Sequence, residues 1–382
     1  MRILLVVPPL TGHVAPLRAL AAALTDHEVA WCGPEPATTA LTSGPVFPAG
    51  SSEPFDVDHR PAGLRGFAAL RFLWQQYLIP LAEVMVPGVR SACDQFEPDL
   101  IVTDQQALAG ALVAKERGIP WATSASTAAE LTDPLRGLPK VAEWIRQLQQ
   151  DLCSRHGVVP SDLRFSPELI LAYTTKELTG PPSTAAVRYV GSIAVAESTV
   201  DFPALDGRPL VVATLGTANA QSGQRFLGEC VEALKAMPEV QGVIVDPTGT
   251  LSNKDVLIKQ RIPQVPLLQK ASVVICHAGH NTVGESLAAG VPLVVAPIRD
   301  DQHTVAESVV AAGAGLRLRF DRARAEHIGR AVGTILATPD FTAAAGRLKQ
   351  SLTTAGGAAA AVRHLEALVK GGRPCAPTPT RR

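Results

Sequence analysis

No charge excess, no long apolar run and no paired-cysteine motif occurs in this chain of 382 residues. Each absence removes a class of function. Lysine plus arginine number 35 and so do aspartate plus glutamate, so the basic excess or stripe that a nucleic-acid binder needs is missing. No apolar stretch reaches the roughly 18 residues of a membrane span, and no span is expected. The six cysteines (32, 93, 153, 230, 276 and 375) form no CxxC pair and no zinc spacing. Several lie inside apolar runs, Cys276 in SVVIC among them, and read as small core residues in a reducing compartment. Two phosphate loops are absent as well. The turn after the first strand reads PPLTGH rather than GxGxxG, and no GxxxxGK(S/T) occurs, so a nicotinamide dehydrogenase or an ATPase would lack its usual cradle.

Apolar residues are plentiful, at 46%, and the length suits two cores rather than one. MRILLVVPPL could be taken for a signal peptide, but ILLVV is only five residues long before Pro8 and Pro9, and no small-residue cleavage site follows. It reads as a buried strand, and the protein as cytoplasmic. Similar runs recur at residues 28–32, 99–103, 168–173, 209–214, 242–246, 272–276 and 292–296. Continuous apolar runs mean strands covered on both faces, hence parallel sheets wrapped by helices. Helices are expected over 16–25, 107–117, 224–237 and 282–289. The stretch between the two strand sets is rich in proline, glycine and small residues, and it separates the halves. The expectation is an α/β chain of two tandem doubly wound domains, 1–195 and 209–370, joined by a linker over 196–208. The tail 371–382 lacks periodicity and should be disordered. Ligands of such sheets bind beyond the carboxyl ends of the strands.

The strongest chemical signal is VVICHAGHNTVGESLAAGVPLVVAP. A strand ends at Cys276, the chain turns through His277, Ala278 and Gly279, and Asn281 or Thr282 begins a helix. Gly279 permits a tight turn. The first helical amides lack intrahelical partners and carry partial positive charge, which suits a phosphate. Asn281, Thr282 and His277 add side-chain donors. A plain cap by Asn281 or Thr282 beside a buried histidine is the alternative. His277 and His280 straddle the turn with no third ligand nearby, so no metal site is expected.

From Arg261 to Gly315 the chain resembles the donor-binding signature of family 1 glycosyltransferases of the GT-B fold. RIPQ, then HAGHNTVGE, then GVP and DQ stand in the family's order and spacing; TGH, IVTD and LGT extend the likeness to the first half. The resemblance is to the natural-product enzymes of actinobacteria. It implies two Rossmann-like domains facing a cleft, acceptor on the first and donor on the second, with the last helix packing back on the first. Arg261 and the Ile262 backbone would hold the base, and Gln264 and Glu285 the ribose. His277, Gly279, Asn281, Thr282, Gly216 and Thr217 would hold the diphosphate, and Asp301 and Gln302 the sugar. The family often has asparagine where Val305 stands here.

His13 follows the first strand and precedes a helix whose first turn contains Pro16. A histidine there can take a proton from a hydroxyl in the cleft or be merely structural; the family has its general base at this position. Asp104 ends the strand DLIVT in the same sheet, and either fixes the imidazole or caps the next helix; the family's supporting aspartate matches it. Asp246 reads as an ordinary turn residue. His27, His59, His156, His303, His327 and His364 suggest solvated or capping roles.

The expected activity is therefore an inverting, metal-independent transfer of sugar from a UDP- or dTDP-sugar co-substrate to a small, fairly apolar acceptor, with no bound cofactor. A GT-B nucleotide-sugar epimerase, a non-catalytic sugar-nucleotide binder, or a transferase for lipid-linked acceptors are the alternatives. The oligomeric state is left open, a homodimer among the options.

Overall fold

The computed structural model describes residues 1–55, 61, 63–64, 66–132, 135–194, 205–216, 219 and 222–371. Most of the expected linker, nearly all of the expected tail, and the residues Thr217 and His59 lie outside these. The first sheet comprises β1 (Arg2–Val6), β2 (Glu28–Glu35), β3 (Val46–Ser51), β4 (Leu100–Asp104), β5 (Trp121–Ala125), β6 (Ile170–Ala172) and β7 (Val187–Tyr189). Its order is β3-β2-β1-β4-β5-β6-β7, parallel throughout. The second comprises β8 (Leu210–Thr214), β9 (Gln241–Val245), β10 (Leu257–Lys259), β11 (Ala271–Cys276), β12 (Leu293–Val295) and β13 (Gly315–Arg317). Its order, β10-β9-β8-β11-β12-β13, is also parallel and repeats the doubly wound pattern of the first.

The unbroken apolar runs have a direct cause. Along β1, Leu4 and Val6 enter one core, with Met85 and Val89 of the helix Ile79–Phe96 and Leu112 of the helix Leu108–Arg117. Ile3 and Leu5 enter another, with Leu17 of the helix Thr11–Ala23 and Leu365 of the helix Gly357–Lys370. Both faces are covered, so apolar side chains are favoured at successive positions; each contributes about 1.5–3 kcal/mol by burial. In the second sheet Val273 and Ile275 pack against Phe226 of the helix Gln224–Lys235. Val274 and Cys276 pack on the opposite face against Val283 and Leu287. The last helix thus crosses from the second half to lie on the first sheet, where Glu366 also meets His27 at 3.3 Å.

All eight expected strands form. β3, β5, β7, β10 and β13 were not legible: VFPAGS carries proline and glycine, WATSA has little bulk, and the others span three residues. One helix start needs correction. The first helix begins at Thr11, not Pro16, and Val14 N–H already donates to Leu10. Pro16 therefore stands past the first turn, where its missing N–H forfeits a helical bond.

Candidate active site

In each sheet the strand order reverses beside the first strand, between β1 and β4 and between β8 and β11. Crevices at such points are where open α/β sheets take ligands. His13 follows β1 and Asp104 ends β4; Gly216 follows β8 and His277 follows β11. Four of the residues singled out by sequence thus stand at the two switch points.

At the first, His13 Nδ1 lies 2.9 Å from Asp104 Oδ1, with Asp104 buried and the His13 side chain 18% exposed. Ser126 Oγ stands 2.7 Å from the same nitrogen. Because Nδ1 is held on the protein side, the neutral tautomer with the proton on Nδ1 leaves Nε2 as a base. Burial opposes the charged imidazole, but the Asp104 charge and hydrogen bond outweigh it, and the His13 pKa is raised. Asp104 is no helix cap: the following helix starts at Leu108 without a side-chain cap, and Asp104 Oδ1 accepts only the local Gln106 N–H besides His13. Ser126 was missed because β5, which delivers it, was missed.

At the second, the helix His280–Ala289 opens with Gly279 as N-cap and no side-chain cap bond. Neither Asn281 nor Thr282 caps it, which leaves first-turn N–H groups for a ligand. The tight turn belongs to Ala278, at φ 62, rather than to Gly279 at φ −65. Gly279 is needed for space instead, since a Cβ there would overlap the His277 ring. On the other side a Cβ at Gly216 would stand 3.0 Å from His277 Cε1. The imidazole is wedged between two glycines, its Nδ1 buried without a protein partner. Burial, then Arg299, pushes its pKa down to about 4. His277 is thus neutral near pH 7.

Farther along, Gln264 Nε2 donates to Glu285 Oε2 at 2.6 Å, joining the two expected ribose ligands. Arg261 is exposed, and Ile262 is half-buried against Leu267. Asp301 accepts the Thr127 hydroxyl across the cleft, and burial raises its pKa despite that bond. Gln302 Oε1 accepts the Ile298 and Arg299 amides, which fixes the loop before the helix Gln302–Ala311. Val305 is buried in the core with Ala306 and Val309, so the departure from asparagine falls on a packed position. Asn281 Nδ2 donates to Gly12 O at 2.7 Å. His280, weighed above only as a metal partner of His277, has its pKa pushed down to about 4 by burial.

Elsewhere, Asp246 is more than a turn residue. Its buried carboxylate accepts the Gln224 amide, the Thr248 hydroxyl and amide, and the Leu251 amide. His156 pairs with Glu83 at 2.8 Å, and His327 accepts the Arg324 amide at a helix start. Among the described residues no group of three or more His, Cys, Asp or Glu could hold a metal ion, and no helix is long and apolar enough to cross a membrane.

This architecture recurs in known proteins. The family described as Erythromycin biosynthesis protein CIII-like, C-terminal domain, matches residues 247–368. 4'-Demethylrebeccamycin synthase of Lentzea aerocolonigenes is 27% identical, the match covering 96% of this chain and 99% of that protein. The solved spinosyn rhamnosyltransferase SpnG is 26% identical over 96% of this chain and 100% of its own, with TM-score 0.76; it is also known with thymidine diphosphate and with spinosyn aglycone. CalG4, the calicheamicin glycosyltransferase, superposes with TM-score 0.80 at 21% identity over 98% of this chain and 99% of that one. The fold is that of the GT-B glycosyltransferases. Within that class the chain resembles the natural-product glycosyltransferases of actinobacteria.

Proposed function

We propose that this protein transfers a sugar, with inversion, from a dTDP- or UDP-sugar to a hydroxyl of a small, largely apolar secondary metabolite. The observation that carries the reading is the buried Asp104 carboxylate on His13 Nδ1 at the first switch point, facing an uncapped helix terminus at the second. His13 Nε2 would take the acceptor proton as the hydroxyl oxygen attacks the anomeric carbon. Asp104 would stabilise the imidazolium that forms. The bond to the nucleoside diphosphate breaks on the opposite face, and its developing charge would fall on the helix amides, Asn281, Thr282 and the neutral His277 N–H. A helix N-terminus aimed at the leaving group would serve where a divalent ion otherwise would, so the transfer would be metal-independent. Asp301 and Gln302 would meet sugar hydroxyls, Gln264 and Glu285 the ribose, and Arg261 the base.

The names of the relatives support this reading: a rebeccamycin-pathway synthase and a spinosyn rhamnosyltransferase both decorate metabolites, and the latter is known with thymidine diphosphate. A non-catalytic sugar-nucleotide binder would have no use for the buried His13–Asp104 pair, whereas an epimerase would need no acceptor and would work on the donor alone. The test is acceptor-dependent release of nucleoside diphosphate, preceded by thermal-shift screening against UDP, dTDP and GDP. Nucleotide binding with turnover of donor alone would favour the epimerase. No stabilisation by any of the three would remove the transferase reading.

A further inference from the structure

Within the helix Thr11–Ala23 each N–H should donate to the carbonyl four residues earlier. Pro16 has no N–H, so the Gly12 carbonyl loses its helical donor. That carbonyl is not idle: Asn281 Nδ2 donates to it at 2.7 Å. The donor sits in the first turn of the helix His280–Ala289, which follows the second sheet's switch point, and the acceptor directly precedes His13. A second tie, from Thr127 Oγ1 to Asp301, crosses the same cleft.

We propose that Pro16 is a positioning residue for the transfer. By withholding an N–H it keeps the Gly12 carbonyl available to Asn281, and so sets the separation between the His13 base and the helix terminus that receives the diphosphate. The inference rests on the proposed function for its catalytic consequence, but the tie itself is a matter of geometry. A residue other than proline at 16 supplies an N–H on the same helix that can close on Gly12 and draw its carbonyl into line with the helix axis, away from the direction in which Asn281 reaches it. A group misplaced by even an ångström from its reaction partner loses much of its effect. Pro16 is buried and touches neither reactant in this reading, so its influence on the reaction is indirect.

Pro16→Ala and Pro16→Val both restore the N–H, the second with nearly the bulk of the ring. The expected result is a single-turnover transfer rate lowered about 5- to 50-fold at saturating donor and acceptor. Nucleoside diphosphate affinity should stay within about threefold, and Tm should not fall, because an interior helix favours either residue over proline. In an Asn281→Ala background the same substitutions should change the rate by less than about twofold, since the tie is already gone. Spin labels placed on an exposed residue of each half should show a broader distance distribution in Pro16→Ala than in the wild type. An unchanged rate and distance distribution, or an equal loss in the Asn281→Ala background, overturns the proposal. Loss of folding in both variants overturns it too, by making Pro16 a packing residue. Should the wild type bind no nucleoside diphosphate, the transferase reading fails while the distance measurement still decides the tie.

Discussion

Asp104 Oδ1 stands 2.9 Å from His13 Nδ1 across 91 residues of sequence, because β1 and β4 are neighbours that end at the same level of one parallel sheet. Thr103 is paired with Val6 in register, and one further residue on β4 brings the carboxylate level with the turn that carries His13. The pair is a property of the strand order before it is a property of the two side chains.

Its chemistry fixes a pH dependence. The raised His13 pKa places the acid limb of kcat/KM above the ordinary histidine value of 6.5, since only the neutral ring can accept the proton. Asp104→Asn removes both the charge and the ionic hydrogen bond that raise it, and leaves burial, which lowers it. The acid limb should therefore move to lower pH while the maximal rate drops. His13→Ala should cost roughly 100- to 10,000-fold in turnover on an alcohol acceptor, and Asp104→Asn less. The two losses should not add, because the residues act as one unit. A pH–rate series on the three variants measures all of this; a limb that stays in place in Asp104→Asn refutes the pairing.

Gly279→Ala should disable the second switch point without unfolding the chain. The new Cβ would overlap the His277 ring, so the ring would have to shift from its place beside the helix start. Nucleoside diphosphate affinity should fall at least about tenfold, the worth of a lost hydrogen bond to a charged group. Calorimetry beside a circular-dichroism melt separates this from a folding defect, and undiminished affinity would show the ring is not part of the site.

Much of this was legible from the amino acids. ILLVV and SVVIC announce buried parallel strands because both faces of each are packed, and such strands put the chemistry at their ends. What was hidden depended on distant chain segments. WATSA carries no apolar run, so β5 and with it Ser126 and Thr127 went unread, although both reach the cleft. The neutrality of His277 comes from burial and from Arg299, 22 residues on, while glycines 61 residues before it and two after it leave the room its ring occupies. Gly279 looked like a turn residue because glycine most often is one; its real constraint is a neighbouring ring. The use of Asp246 as a fourfold acceptor likewise needs Gln224 and Leu251 to arrive from either side.

Activity should persist in excess EDTA. The diphosphate charge is assigned to helix amides, Asn281, Thr282 and His277, none of which is a carboxylate that would recruit a divalent ion. Assay of acceptor-dependent diphosphate release with and without chelator decides it, and activity that vanishes and returns with magnesium or manganese would refute the assignment.

Asp246 should make the second half acid-sensitive. Burial alone would raise its pKa, but the Leu251, Thr248 and Gln224 hydrogen bonds outweigh that and hold it down to about 2, below the ordinary 3.8. A depressed carboxylate stabilises the fold above its unfolded pKa and loses that contribution as pH falls from 3.8 toward 2. Asp246→Ala should then cost about 1–2 kcal/mol at pH 7, allowing for solvent screening, with the gap narrowing below pH 3.8. Urea melts of the two proteins at pH 7 and pH 3 provide the comparison; a gap that does not narrow would mean the carboxylate acts through packing instead of charge.

His277 should bind the diphosphate as a neutral donor. With its pKa pushed down to about 4 by burial and Arg299, the ring would need to gain about three units to be half protonated at pH 7. That is about 4 kcal/mol of extra interaction with the bound anion. Helix amides and neighbouring side chains already share that anion, so one imidazole does not command so large a difference. A neutral N–H on an ionised oxygen is still worth about 1.5–3 kcal/mol, so His277→Ala should weaken nucleoside diphosphate binding about 10- to 150-fold. The loss should be the same at pH 6 and pH 8, because the group that was removed carries no titrating charge in that interval. Calorimetry in two buffers of different ionisation enthalpy adds an independent reading: wild type and variant should take up the same number of protons on binding. A wild-type affinity that falls as pH rises while the variant stays flat, together with extra proton uptake, would make His277 a cation in the complex and overturn its assignment as a neutral donor.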